Sequence, residues 1–279
     1  MQLAYSAWAF PRLPIERQVA IVRDQGYVAI ELVSGAGYPL DACATDAAER
    51  RRIRRLVDDA GLRLVSVAGH ADPIEPDPDK RAANLARLRA GLDLVADLRV
   101  PCLVAMGYGK PETYEADRHK LADVFGELAR YAEARGVVLA LEPHVGQAID
   151  LPEKVTWLLD AVGSPHFRLN FDNSHFECMG RDVDEYVPPL VPFSVHTHLK
   201  DQRHGSYPNH QFLVPGEGDF DYPRYLRAMQ AAGYRGAVTV EISVMVQRRP
   251  DYDPAEVAAR SFGVLLDASE RAGVPLEHR

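Results

Sequence analysis

Residues 137–144 read VVLALEPH, an apolar, strand-forming run that ends in a carboxylate, a proline and a histidine. The run is entered from a helical stripe over 115–135 by way of Gly136, in EARGVVLAL. A glycine just past the last helical turn lets the chain pass through a left-handed conformation before the next element. Outward from here the same phrase returns in DQGYVAI, DDAGLRLVSV and AAGYRGAVTV. The pattern predicts eight strands: LAYSAW (3–8), YVAIELV (27–33), LRLVSVAG (62–69), PCLVAMG (101–107), VVLALE (137–142), FRLNFD (167–172), FSVHTHL (193–199) and AVTVEIS (237–243). Each is followed by an apolar stripe at helical spacing, over 14–25, 46–60, 79–98, 115–135, 152–162, 182–190, 221–233 and 254–272. Eight β/α units with no linker in 279 residues predict an α/β fold of the (β/α)8 TIM-barrel class, one domain spanning 1–279. A doubly wound α/β fold is the competitor, and the absence of a glycine-rich phosphate fingerprint after the first strand counts against it.

Charge narrows the partners. A formal net charge of −8 disfavours nucleic acid, whose affinity for proteins comes largely from a positive surface, and leaves a small molecule as the expected ligand. The basic run ERRRIRRLVDDAG (49–61) has Ile53, Leu56, Val57 and Ala60 on one stripe, so it reads as an amphipathic helix with a solvated arginine face. Cys43, Cys102 and Cys178 are widely spaced and lack CxxC patterning, as expected of reduced thiols in a cytoplasmic protein. The N-terminus MQLAYSAWAF does not read as a signal peptide, so structure is expected to begin at once, and no apolar stretch is long enough to suggest a membrane span.

In a barrel of this class the active site lies at the C-terminal ends of the strands. The fifth strand ends at Glu142, the sixth brings Asp172 with His175 three residues later, the seventh brings His198 and the eighth Glu241. Four successive strands thus deliver ligand-type residues at one height. Three carboxylates and one imidazole suit one divalent ion that prefers oxygen, Mn2+ or Mg2+ before Co2+ or Zn2+, and such an ion offsets the cost of burying the acids. His196, two residues deeper than His198, is expected behind it as a support, with Asp201 in the same supporting role. Trp8 at the first strand end can stack on a sugar face, and Tyr108 in GYGKP (107–111) is a hydroxyl contact or lid residue. The long polar segment KDQRHGSYPNHQFLVPGEGDF (200–220) reads as a functional loop, with His210 as a polar candidate.

The strand ends LALEPH, NFDNSH, HTHLKD and VTVEIS, followed by PGEGDFDY, resemble those of the xylose isomerase-like TIM barrels grouped as sugar phosphate isomerases and epimerases, and the resemblance covers essentially the whole chain. That resemblance implies that Glu142 and Glu241 bind the metal and also act as the acid/base pair. It further implies that Asp172 and His198 complete the ligand set, and that His175 contacts the substrate. Glu31 and His70 lie where such proteins place substrate contacts or a second metal, and Arg203 resembles the arginine with which some epimerases grip a ketose. The expected activity is epimerisation or isomerisation of a ketose or keto-polyol by proton transfer through a metal-stabilised enediolate. The alternative is a lyase or dehydratase acting on a keto-inositol or keto-glycoside, helped by an extra basic group among Lys200, His144 and His210; Lys200 is otherwise grouped with the supporting residues. A more remote alternative is DNA repair of the endonuclease IV type. It needs more histidines than this set, and the fourth strand end AMGYG supplies none. Such proteins tend to form dimers or tetramers, and VMVQRRPDYDP (244–254) is the segment expected at an interface.

Overall fold

The computed structural model describes all 279 residues, Met1–Arg279. Strands Gln2–Ser6, Ala29–Val33, Arg63–Ala68, Cys102–Met106, Val138–Glu142, Phe167–Asp172, Ser194–Leu199 and Ala237–Val240, here the first to eighth, form a closed barrel in which every neighbour pair is parallel. The eight strands alternate with helices Ile15–Asp24, Ala47–Asp59, Pro78–Asp97, Tyr114–Glu133, Pro152–Val162, Val183–Leu190, Tyr222–Ala231 and Pro254–Ala272. The (β/α)8 barrel expected from the sequence is therefore the fold. Side chains such as Leu139, Leu141, Val155 and Leu158 join one continuous apolar core between strands and helices. No helix is long and apolar enough to cross a membrane.

Local chemistry explains the boundaries. Asp46, Asp77 and Asp253 cap helix N-termini by accepting from backbone N–H groups of the first turn, and Pro78 and Pro254 follow two of them, where a missing N–H costs nothing. Gly26, Gly61, Gly136 and Gly233 take φ values of 98°, 68°, 66° and 89°, the left-handed turn required between helix and strand. After the third helix the same turn is made by Arg99, at φ 54°.

Several features without a periodic signal build the C-terminal end of the barrel. A short helix, Asn173–Cys178, follows the sixth strand directly; Asp201–Gln202 and Phe212–Leu213 pair as an antiparallel ribbon; Val244–Gln247 forms one helical turn after the eighth strand. Two strand pairs also shift register. Ile30 and Glu31 face Leu64 and Ser66, skipping Val65, and Leu169 and Asn170 face Ser194 and His196, skipping Val195. Such a bulge re-aims the side chains beyond it.

Candidate active site

The last residues of the fifth and sixth strands, the penultimate residue of the seventh and the first residue past the eighth converge. Donor atoms of Glu142, Asp172, His198 and Glu241 all lie within 4.8 Å of one another, and all four residues are buried. Register produces this height: Asp172 pairs with His198, and His198 with Thr239, two residues short of Glu241. Asp172 is also the N-cap of Asn173–Cys178. Its Oδ1 accepts from Ser174 N at 2.9 Å and Ser174 Oγ at 2.6 Å, which leaves Oδ2 for the centre.

His198 is fixed from both sides. Its Nδ1 faces the centre, 3.0 Å from Glu142 Oε1 and 3.2 Å from Glu241 Oε2, while Nε2 lies 2.8 Å from Glu31 Oε1. Glu31 comes from the second strand, across the barrel interior, and is itself held by Ser6 Oγ at 2.6 Å, Ser66 Oγ at 2.7 Å and His196 Nε2 at 3.2 Å. A carboxylate on Nε2 keeps the proton there and leaves the Nδ1 lone pair for a cation. Burial alone would raise the Glu31 carboxyl, but His198 and His196 hold it well below the usual range. Burial would likewise lower His198, but Glu31, Glu241 and Glu142 outweigh it and hold the ring well above the ordinary value, so Nδ1 carries a proton that a cation bound there has to replace.

Lys200 is part of the centre itself. Its Nζ pairs with Asp172 Oδ2 and Glu241 Oε2 and lies 3.8 Å from Glu142 Oε1. Burial opposes its charge, but the three carboxylates keep it an ammonium. In turn Lys200 and His198 hold Glu241 below the usual carboxylate range against the effect of burial.

Above this floor opens a cavity of about 540 Å³, of small-molecule size, with Glu142, Glu241 and Lys200 in its lining. Trp8, His70, Tyr108, His144 and His210 line it as well. Trp8 stacks on Tyr38 with ring centroids 5.7 Å apart and meets His70 edge-on, and His70 Nε2 is 3.8 Å from Glu142 Oε2. Burial, with His175 beside it, pushes His144 down to about 3, so its ring is neutral. Nδ1 of His70 and of His210 is buried without a hydrogen-bond partner, as are the side-chain amides of Asn173 and Gln202 near the same strand ends. Unpaired buried polar groups gathered in this way suit a polar ligand.

Three expected substrate contacts lie elsewhere. Glu31 is fully buried beneath His198, because the bulge at Val65 and the facing serines turn it into the interior; it supports a ligand instead of lining the cavity. His175 sits behind His144, ring centroids 4.0 Å apart, with Nε2 3.3 Å from Asp172 Oδ2, so it backs the aspartate. Arg203 is exposed, one residue past the Asp201–Gln202 strand, and the cavity lining does not include it. His196 and Asp201 lie in supporting positions: His196 bonds Ser66 and Glu31, and Asp201 Oδ2 accepts from Gly216 N at 2.7 Å and Gly218 N at 3.0 Å, tying down the PGEG loop. The sequence reading did not place Phe212, Ser243, Met245 or Arg248 at the cavity, all of which line it; Phe212 and Met245 sit on elements too short to leave a pattern, and Ser243 and Arg248 cap the one-turn helix Val244–Gln247.

The donor set fits a divalent cation. Glu142, Asp172 and Glu241 offer hard oxygens and His198 an oriented imidazole nitrogen, a combination that suits Mg2+, Mn2+ or Zn2+.

A family model described as "Xylose isomerase-like TIM barrel" matches residues 19–268. The chain is 28% identical over 256 residues to the rhizopine catabolism protein MocC of Rhizobium meliloti, covering 82% of this chain and 74% of that one. It is 26% identical over 147 residues to an inosose dehydratase of Clostridium perfringens, 48% of this chain and 50% of the other, so the match spans about half of that relative's length. Among solved structures, D-psicose 3-epimerase in the presence of D-fructose superposes with a TM-score of 0.80, at 18% identity over 98% of this chain and 100% of the other.

Proposed function

This chain belongs to the xylose isomerase-like TIM barrel family, and we propose that it removes the proton next to a carbonyl of a ketose or keto-polyol. Glu142 and Glu241 form the acid/base pair, and Glu142, Asp172, His198 and Glu241 hold one divalent metal ion, Mn2+ before Mg2+, Co2+ or Zn2+. The observation that carries the reading is the floor of the cavity, where two glutamates share one imidazole nitrogen at 3.0 and 3.2 Å and also face the space a substrate would fill. An ion held there supplies a Lewis acid that draws electron density from the carbonyl.

The chain's own groups do the remainder. One glutamate takes the proton, and the other holds the proton that is returned; return to the opposite face of the same carbon gives an epimer, and return to the neighbouring carbon gives an isomer. Glu31 keeps His198 in one tautomer and orientation throughout. Trp8 and Tyr108 supply apolar wall and hydroxyl for a sugar ring, and His70 a polar contact beside Glu142.

A second reading, loss of the β-hydroxyl as water, is favoured by one specific feature. Lys200, His144 and His210 line the same cavity, so nitrogen groups surround the space in which a hydroxyl would depart. The likeness to an inosose dehydratase supports the same outcome. The test is incubation of the Mn2+-reconstituted protein in D2O with ketoses, keto-inositols and keto-glycosides, followed by NMR and mass spectrometry. Chelator-sensitive deuterium uptake next to the carbonyl, with composition otherwise unchanged, supports epimerisation or isomerisation. A product lighter by one water supports dehydration. Neither change on any substrate of the panel overturns the proposal.

A further inference from the structure

Lys200 places a positive charge where the metal-ligand reading places another. Its nitrogen pairs with Asp172 and Glu241 and lies 3.8 Å from Glu142, three of the four groups assigned to the ion. A divalent ion and an ammonium cannot occupy one ring of oxygens, since they compete for the same lone pairs and repel each other in a poorly screened interior. Without either cation, three buried carboxylates would face one another at close range, an arrangement that opens the strand ends or forces protonation.

We propose that Lys200 is a tethered counter-ion, which neutralises the nest in the metal-free chain and which the incoming divalent ion must displace into the cavity. The geometry provides for both positions. The lysine follows His198 by two residues, so it leaves the seventh strand on the same side, and it already lines the cavity. In its resident position Nζ already lies 5.6 Å from the ring centroid of Phe212, a π-face on the cavity wall toward which a short side-chain movement carries the ammonium. Once displaced, Lys200 presents a charged donor to whatever fills the cavity, so the metal both occupies its site and arms a second cation beside the substrate.

The inference rests on the metal reading above, and the test separates the two. In the full-length protein Lys200→Met is expected to bind Mn2+ about tenfold or more tighter than wild type by calorimetry, because no resident cation has to leave. In chelator the variant is expected to melt below wild type, and saturating Mn2+ should close that gap. Independently of any variant, reductive methylation of wild-type protein read by mass spectrometry should modify Lys200 slowly in chelator and faster with Mn2+ bound; this arm decides if Lys200→Met does not fold. Equal Mn2+ affinity in both proteins, or labelling of Lys200 that Mn2+ leaves unchanged or slows, overturns the counter-ion and leaves the metal site standing. Mn2+ uptake by neither protein overturns the metal reading itself, and uptake by the variant alone supports the counter-ion in its strongest form.

Discussion

Glu142 and Glu241 differ from the other donors in that they face both the centre and the cavity. Glu142→Gln and Glu241→Gln keep the shape and remove the base, so each should all but abolish turnover, a loss of about 10²–10⁴-fold. Asp172→Asn should chiefly weaken retention of the ion, since Oδ1 is committed to capping Asn173–Cys178 and Oδ2 points inward. Turnover assays with metal analysis after dialysis distinguish these effects, and full activity in either glutamine variant would remove the two-base mechanism. Glu31 touches nothing in the cavity yet bonds the far nitrogen of His198 at 2.8 Å. Glu31→Gln should therefore lower metal affinity about 10–100-fold with the ligand set intact. An unchanged Kd by calorimetry would mean that His198 keeps its orientation without that carboxylate.

Between residue and barrel stand the short elements that close the cavity. Gly218 shows how tightly the PGEG loop is seated: a Cβ there would lie 2.1 Å from Asp201 Oδ1 and 2.3 Å from the Gln202 carbonyl oxygen. Gly218→Ala should force the loop off Asp201, destabilising the protein by about 1–3 kcal/mol and weakening substrate binding. A thermal melt and a KM measurement check this, and no change in either would show that the loop does not depend on that seat. The same scale divides what the sequence revealed from what it did not. Strands and helices were legible because their periodicities are long, and four metal-ligand candidates because polar groups stand out at the ends of apolar runs. Glu31 was legible as a substrate contact or second-metal position but not as the partner of His198, since pairing across a barrel interior leaves no spacing in the chain. The wall formed by Phe212, Met245 and Arg248 comes from turns and two-residue strands, which carry no period. Arg203 misled because its place in a polar loop beside the centre says nothing about which way it faces.

At the scale of the whole molecule the charge centre ties stability to pH. Glu31, Asp172 and Glu241 are held below the usual carboxylate range despite burial, so their contribution is complete above about pH 4 and is lost as pH falls toward their folded values. His198 is held above its ordinary value, so its contribution is complete below about pH 6.5 and is lost as pH rises through its folded value. His144, His175 and His196, held down by burial, work the other way, their contribution being complete above about pH 6.5 and lost as pH falls, so the metal-free protein should be most stable near pH 6.5, with melting temperature falling on either side; a flat profile in chelator would show that these charges are not coupled to folding. The closed barrel holds all of them in one layer, and the layer depends on Val195, the residue skipped in the pairing of the sixth and seventh strands and left 38% exposed. Were Val195 instead paired with Asn170 in a regular register, the chain would keep every acid and histidine of the centre, yet present Thr197 and Leu199 inward and carry His196 and His198 round to the helices. The site is thus written in the pairing of the strands as well as in the identities of the residues, and the same sequence paired without the bulge would be a barrel without this chemistry.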